Sequence, residues 1–73
     1  MNNKKRITIY QAYEKAKSLG VDFGNDFHAQ SYGNELADLA KKVGYRKPET
    51  ASGSRGRYFF EYLLKLKNRF GWT

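Results

Sequence analysis

The side chains best suited to chemistry in this chain are cations and phenols, and most of them fall after Gly44. Arg55, Tyr58, Tyr62, Lys65 and Arg69 recur at spacings of three and four. At about 100° per residue of helix, those spacings bring them within about 80° of one another. Cations interleaved with tyrosines suit nucleic acid: the cations hold phosphates, and the rings stack or hydrogen-bond at bases. The segment before them, Tyr45-Arg46-Lys47-Pro48-Glu49-Thr50-Ala51-Ser52-Gly53-Ser54, is rich in residues that avoid regular structure. It leads into Ser52-Gly53-Ser54-Arg55-Gly56-Arg57, two hydroxyls and two guanidiniums among small residues. At the start of a helix, such a run adds unpaired N–H groups and partial positive charge to the forked bonds of arginine, a combination that suits phosphate. The candidate nucleic-acid-binding residues are therefore Arg46, Lys47, Ser52, Ser54, Arg55, Arg57, Tyr58, Tyr62, Lys65 and Arg69. The plainer reading is a connector with ordinary caps, followed by a helix whose outer face is merely solvated. Against it stands Glu61, the only acid between Arg55 and Arg69.

Charge is distributed in the same sense. Of the net +7, residues 1–6 carry three cations and no acid, and residues 44–73 carry seven cations and two acids, a net +5. Residues 7–43 have four cations and five acids, a net −1. Positive charge at both ends and none in the middle is a footprint of polyanion binding, because neutralised phosphates release their counterions. A net charge of this size also serves solubility alone.

Other chemistries find little support. There is no cysteine, hence no disulfide, thiolate nucleophile or cysteine-based zinc site. His28 lies near Asp26 but has no Ser or Cys partner at motif spacing, and Glu35 with Asp38 supplies too few oxygens for a hard metal. The G-x-x-x-x-G-K-[ST] pattern of nucleotide hydrolases is absent. No catalytic residue, metal or cofactor is assigned. No run approaches the roughly 20 apolar residues of a membrane span, so a soluble, cytoplasmic protein is the default expectation.

Three helices must position the basic surface, in one all-α domain over residues 7–73 with a flexible basic arm at 1–6. Thr8 and Gln11 form a capping box for a helix over 9–19, whose apolar face is Ile9, Ala12, Tyr13, Ala16 and Leu19, with Gly20 as its stop. A turn-rich loop follows, whose Phe23 and Phe27 are expected to fold back into the core. A second helix spans 31–43, with an earlier start at Asp26 as an alternative, and stops at Gly44. After a long loop the third spans 55–69, capped by Ser52 or Ser54, with Phe59, Leu63, Leu66 and Phe70 as its stripe and Gly71 as its stop. The expected core sets Phe59, Leu63 and Leu66 against Leu36, Leu39 and Val43, with Tyr13 and Leu19 closing the third side. Trp72 and Thr73 form a short tail.

A helix, a connection and a basic helix superficially resemble a helix-turn-helix, whose second helix enters the major groove. That motif turns in about 3–4 residues, whereas some ten residues separate Gly44 from Arg55. The longer connection, with Ala51-Ser52-Gly53-Ser54 leading to Tyr58, Tyr62 and Leu63, is similar over less than a third of the chain to AT-rich interaction domains. Gly44-Tyr45, Gly53-Ser54-Arg55 and Tyr58-Phe59 resemble HicA-type toxins, which imply RNA cleavage; Arg55 stands where their signature has histidine. Three expectations follow. The first is a non-enzymatic DNA- or RNA-binding domain. The second is a small adaptor or inhibitor docking an acidic protein surface through Tyr58, Tyr62 and Trp72. The third is a small metal-independent ribonuclease.

Overall fold

Thr8 opens the first helix. Its hydroxyl accepts from the Gln11 N–H at 3.0 Å, while the Gln11 amide oxygen accepts from the Thr8 N–H at 2.9 Å, completing the capping box. The computed structural model describes residues 7–47 and 53–72, and among these it contains helices and no strand. They are α1 (Ile9–Leu19), α2 (His28–Ser31), α3 (Gly33–Val43) and α4 (Arg55–Phe70). The basic arm at 1–6 and residues 48–52 and 73 lie outside the described residues.

The three long helices end alike. Gly20, Gly44 and Gly71 adopt φ of 109°, 77° and 70°, the left-handed region that only glycine enters without strain. The N–H of the next residue then reaches back past the cap: Val21 to the Ala16 carbonyl, Tyr45 to Ala40, and Trp72 to Lys67, at 3.1, 2.9 and 3.0 Å. An apolar residue at that position packs against the last turn. Trp72 is therefore not a tail. It docks half-buried on Tyr10, Tyr13 and Phe70, with ring centroids 5.1, 5.1 and 5.9 Å away.

The second helix, expected over 31–43, is α3, and the residues covered only by the earlier start at Asp26 form a separate short helix, α2. Tyr32, at φ −107° and ψ 24°, interrupts the run between α2 and α3. Beyond this break α4 crosses so closely that a Cβ on Gly56 would fall on the Gly33 carbonyl. The loop before α2 is held by its own polar groups: Asp22 Oδ1 accepts from the Gly24 N–H, Asn25 Oδ1 from the Phe27 N–H, and His28 Nδ1 from the Asp22 N–H. His28 thus serves as a hydrogen-bond acceptor in that loop.

The core gathers Ala12, Tyr13 and Ala16 of α1, Phe23 of the loop, Leu36, Leu39 and Ala40 of α3, and Phe59, Phe60 and Leu63 of α4. Phe59 and Leu63 are fully buried, as are their expected partner Leu36 and, nearly so, Leu39. Five expectations for the core need correction. Val43 and Leu66 are only half-buried at its margin, and Leu19 and Phe70 are exposed. Phe27, expected inside, is 71% exposed, while Phe23 stacks on Tyr13 and Phe60 at 5.2 and 5.1 Å. The cause in α4 is the crossing itself: every buried residue of that helix lies between Gly56 and Leu63, so its last two turns run past the contact.

Candidate nucleic-acid interface

Ser54 sets the position of the basic helix. Its hydroxyl accepts from the Arg57 N–H at 3.2 Å, which starts α4 at Arg55 and directs the following side chains. Ser54 is thus the cap, and Ser52, the other candidate, lies outside the described residues. With Phe59, Phe60 and Leu63 turned into the core, helical spacing leaves Tyr58, Tyr62, Lys65 and Arg69 on the outer side.

Lys47 connects the loop to this helix. Its ammonium donates to the Gly53 carbonyl at 2.6 Å, joining the two ends of the segment between them, and lies 5.9 Å from the centre of the Tyr58 ring. That contact is a cation–π pair and leaves Tyr58 half-buried. Arg46 is exposed beside it in sequence.

Tyr45, absent from the candidates read from sequence, belongs to the same surface. As the residue after the Gly44 cap it folds back onto α4, with its ring 5.0 Å from Tyr62 and 5.3 Å from buried Phe59. Burial, and next the Tyr62 and Tyr58 hydroxyls, raise the Tyr45 phenol above its ordinary pKa of 10.0. Three tyrosines thus share one half-exposed patch, backed by the core through Phe59. An open, shallow surface is lined by Tyr45, Tyr58, Tyr62, Lys65 and Asn68 together with the carboxylates Asp26 and Glu61. The signal in sequence was the pair Gly44-Tyr45, an apolar ring directly after a helix stop.

Two arginines depart from the expected arrangement. Arg57 turns away from the tyrosines: its Nη2 lies 3.5 Å from Asp26 Oδ2 and 3.8 Å from Glu61 Oε2. It ties α4 to the loop before α2 and is already matched by two carboxylates. Arg69 lies 5.8 Å from the centre of the exposed Phe70 ring, one turn or more beyond the tyrosine patch. Arg55 and Lys65 are exposed, with no ion-pair partner among the described residues.

The result is an outer surface of mixed character. Helical spacing sets Tyr58, Tyr62, Arg55 and Arg69 on one side of it, with Tyr45 and Lys47 packed beside them. Arg57 and Glu61 follow on the other side, and Glu61 and Asp26 line the same open surface as the tyrosines. Lys65 stands between the two sides. Among the described residues no group of three or more metal-ligating side chains occurs, and no helix is long and apolar enough to cross a membrane.

No family model, curated protein or solved structure matches this chain. The likenesses to helix-turn-helix proteins, AT-rich interaction domains and HicA-type toxins therefore add nothing to the geometry.

Proposed function

We propose that this domain binds nucleic acid, with phosphates held by Arg46, Lys47, Arg55, Lys65 and Arg69 around the outer surface of α4. The observation that carries the reading is the patch itself: three half-exposed tyrosines with Lys47 packed against Tyr58, in a region of net +5. Rings beside cations form the surface that base stacking and phosphate neutralisation both require. A patch serving solubility alone would not need its phenols gathered on a rigid backing.

The test is binding at varied salt. Protein purified with nuclease and high salt, to strip co-purifying nucleic acid, should bind a labelled oligonucleotide at about 50 mM salt. Four to six phosphate contacts imply a log–log slope near −3 to −5. Absence of binding at that ionic strength sinks the reading.

A second reading is favoured by a different region. Phe70 and Tyr10 are 61% and 43% exposed around Trp72, and Arg69 lies beside them. Aromatic side chains with arginine are the residue types that anchor protein interfaces. Under this reading the domain docks an acidic protein surface, and a protein rather than nucleic acid co-purifies with it.

A further inference from the structure

We infer that the aromatic end of the molecule, a row formed by Glu14, Tyr10, Trp72, Phe70 and Arg69, is the contact surface for a second copy of this chain. The inference does not depend on the nucleic-acid reading. It assigns these rings a different partner from the acidic surface of the second reading. Its basis is the order in which the row is built.

Contacts fix that order. Glu14 lies one turn from Tyr10 on α1, and its carboxylate acts on the Tyr10 hydroxyl. Tyr10 meets Trp72 edge-on at 5.1 Å, and Trp72 stacks on Phe70 at 5.9 Å. The Arg69 guanidinium lies 5.8 Å from the centre of the Phe70 ring. The row thus has an acid at one end, a cation at the other and three rings between. Tyr10 and Phe70 are exposed and Trp72 is half-buried. Glu14 and Arg69 are exposed, with no ion-pair partner among the described residues. Lys17 lies beside the row, its ammonium 5.6 Å from the centre of the buried Tyr13 ring.

A uniformly basic surface repels its own copy, whereas a row with unlike ends is complementary to itself once turned about a two-fold axis. In such a contact, residue i of one copy meets j of the other, and j meets i. With the axis near Trp72, each Glu14 faces the Arg69 of the other copy, and the rings pack between the two ion pairs. Aromatic side chains and arginine are the types that dominate interface energies. An acidic partner would satisfy Arg69 but set its charge against Glu14, whereas a second copy matches both ends. The net charge of +7 opposes association at long range. At physiological salt, charges more than about 8 Å apart are largely screened, which confines that cost. A contact of three rings and two ion pairs is small, so the dimer is weak, with a dissociation constant on the order of 100 µM.

The experiment is sedimentation equilibrium of the full chain at physiological salt, from about 10 µM to about 1 mM, which brackets the expected dissociation constant. It should show a monomer–dimer equilibrium. Trp72, the only tryptophan, reports on the contact, and its emission should shift to the blue as the dimer forms. Phe70→Ser, at an exposed position, should weaken association by roughly tenfold. Glu14→Arg and Arg69→Glu should each weaken it by roughly fivefold or more, because each sets like charges at both ends of the contact. An equimolar mixture of these two variants should associate about as well as the parent, since every acid then faces a cation. Recovery in the mixture requires Glu14 of one copy to face Arg69 of the other, and a variant that merely misfolded would not show it. A parent that stays monomeric at about 1 mM overturns the inference. So does self-association that neither reversal weakens, or that the mixture fails to recover.

Discussion

Tyr45 shows how one side chain serves both stability and the surface. Its ring covers Phe59 and supports Tyr62, and burial raises its pKa, with the neighbouring phenols acting in the same direction. The folded state therefore holds the phenolic proton more firmly than the unfolded chain does. Stability from this source is complete below about pH 10, the ordinary phenol value, and is lost as pH rises through the higher folded value. Melting temperature followed by circular dichroism should fall as pH rises above about 10. Tyr45→Phe, which removes the ionising group and keeps the ring, should flatten that fall. Tyr10 also titrates high, chiefly because of the Glu14 carboxylate, and should account for a residual slope in the variant. An unchanged alkaline slope in Tyr45→Phe would show that this phenol is not buried as described.

The decisive feature among the elements is the crossing of α3 and α4. Gly56 and Gly33 bring the two backbones together where a side chain would intrude on a carbonyl. Gly56→Ala should therefore cost more than its gain in helix propensity. Overpacking of this kind is worth about 1–3 kcal/mol, whereas Gly to Ala in an open helix gains up to about 1. Urea denaturation should place the variant below the parent in stability; a more stable variant would show the crossing to be looser than drawn. The helix ends were legible beforehand because they depend on neighbours in sequence: Thr8 with Gln11, Ser54 with Arg57, and the three glycine stops. The division of 28–43 into α2 and α3 was not legible. It coincides with a contact made by a residue more than twenty positions away.

For the whole molecule, the distribution of charge separates a site from mere basicity. Arg55, Lys65 and Arg69 lie on or beside the tyrosine side of α4, while Lys15 is exposed on α1 within the near-neutral part of the chain. Replacing the three with Gln should lower the magnitude of the salt slope for a single strand by about 2, at roughly 0.7 per phosphate contact. Lys15→Gln should change it little. Circular dichroism should remain that of the parent in both, because each of these side chains is exposed. Equal losses per charge removed would mean that bulk charge alone acts, and the patch would lose its claim to be a site.

The sequence by itself determined the helical class, the bounds of α1 and the start and end of α4, and the concentration of cations and phenols after Gly44. These follow from interactions spanning at most one or two helical turns: caps, glycine stops and the 3.6-residue period. Only the tertiary structure decided which apolar residues the core takes in. Phe59 and Phe70 share a stripe, yet the first is buried and the second exposed, because α4 leaves the core after Leu63. The same holds for the surface. Helical spacing placed Tyr58 and Tyr62 on one side, but Tyr45 joins them only through the return of the chain after α3, and Arg57 leaves them for Asp26, 31 residues away in sequence. Periodicity describes one helix at a time, whereas burial and charge pairing depend on which helices meet and where their contact ends.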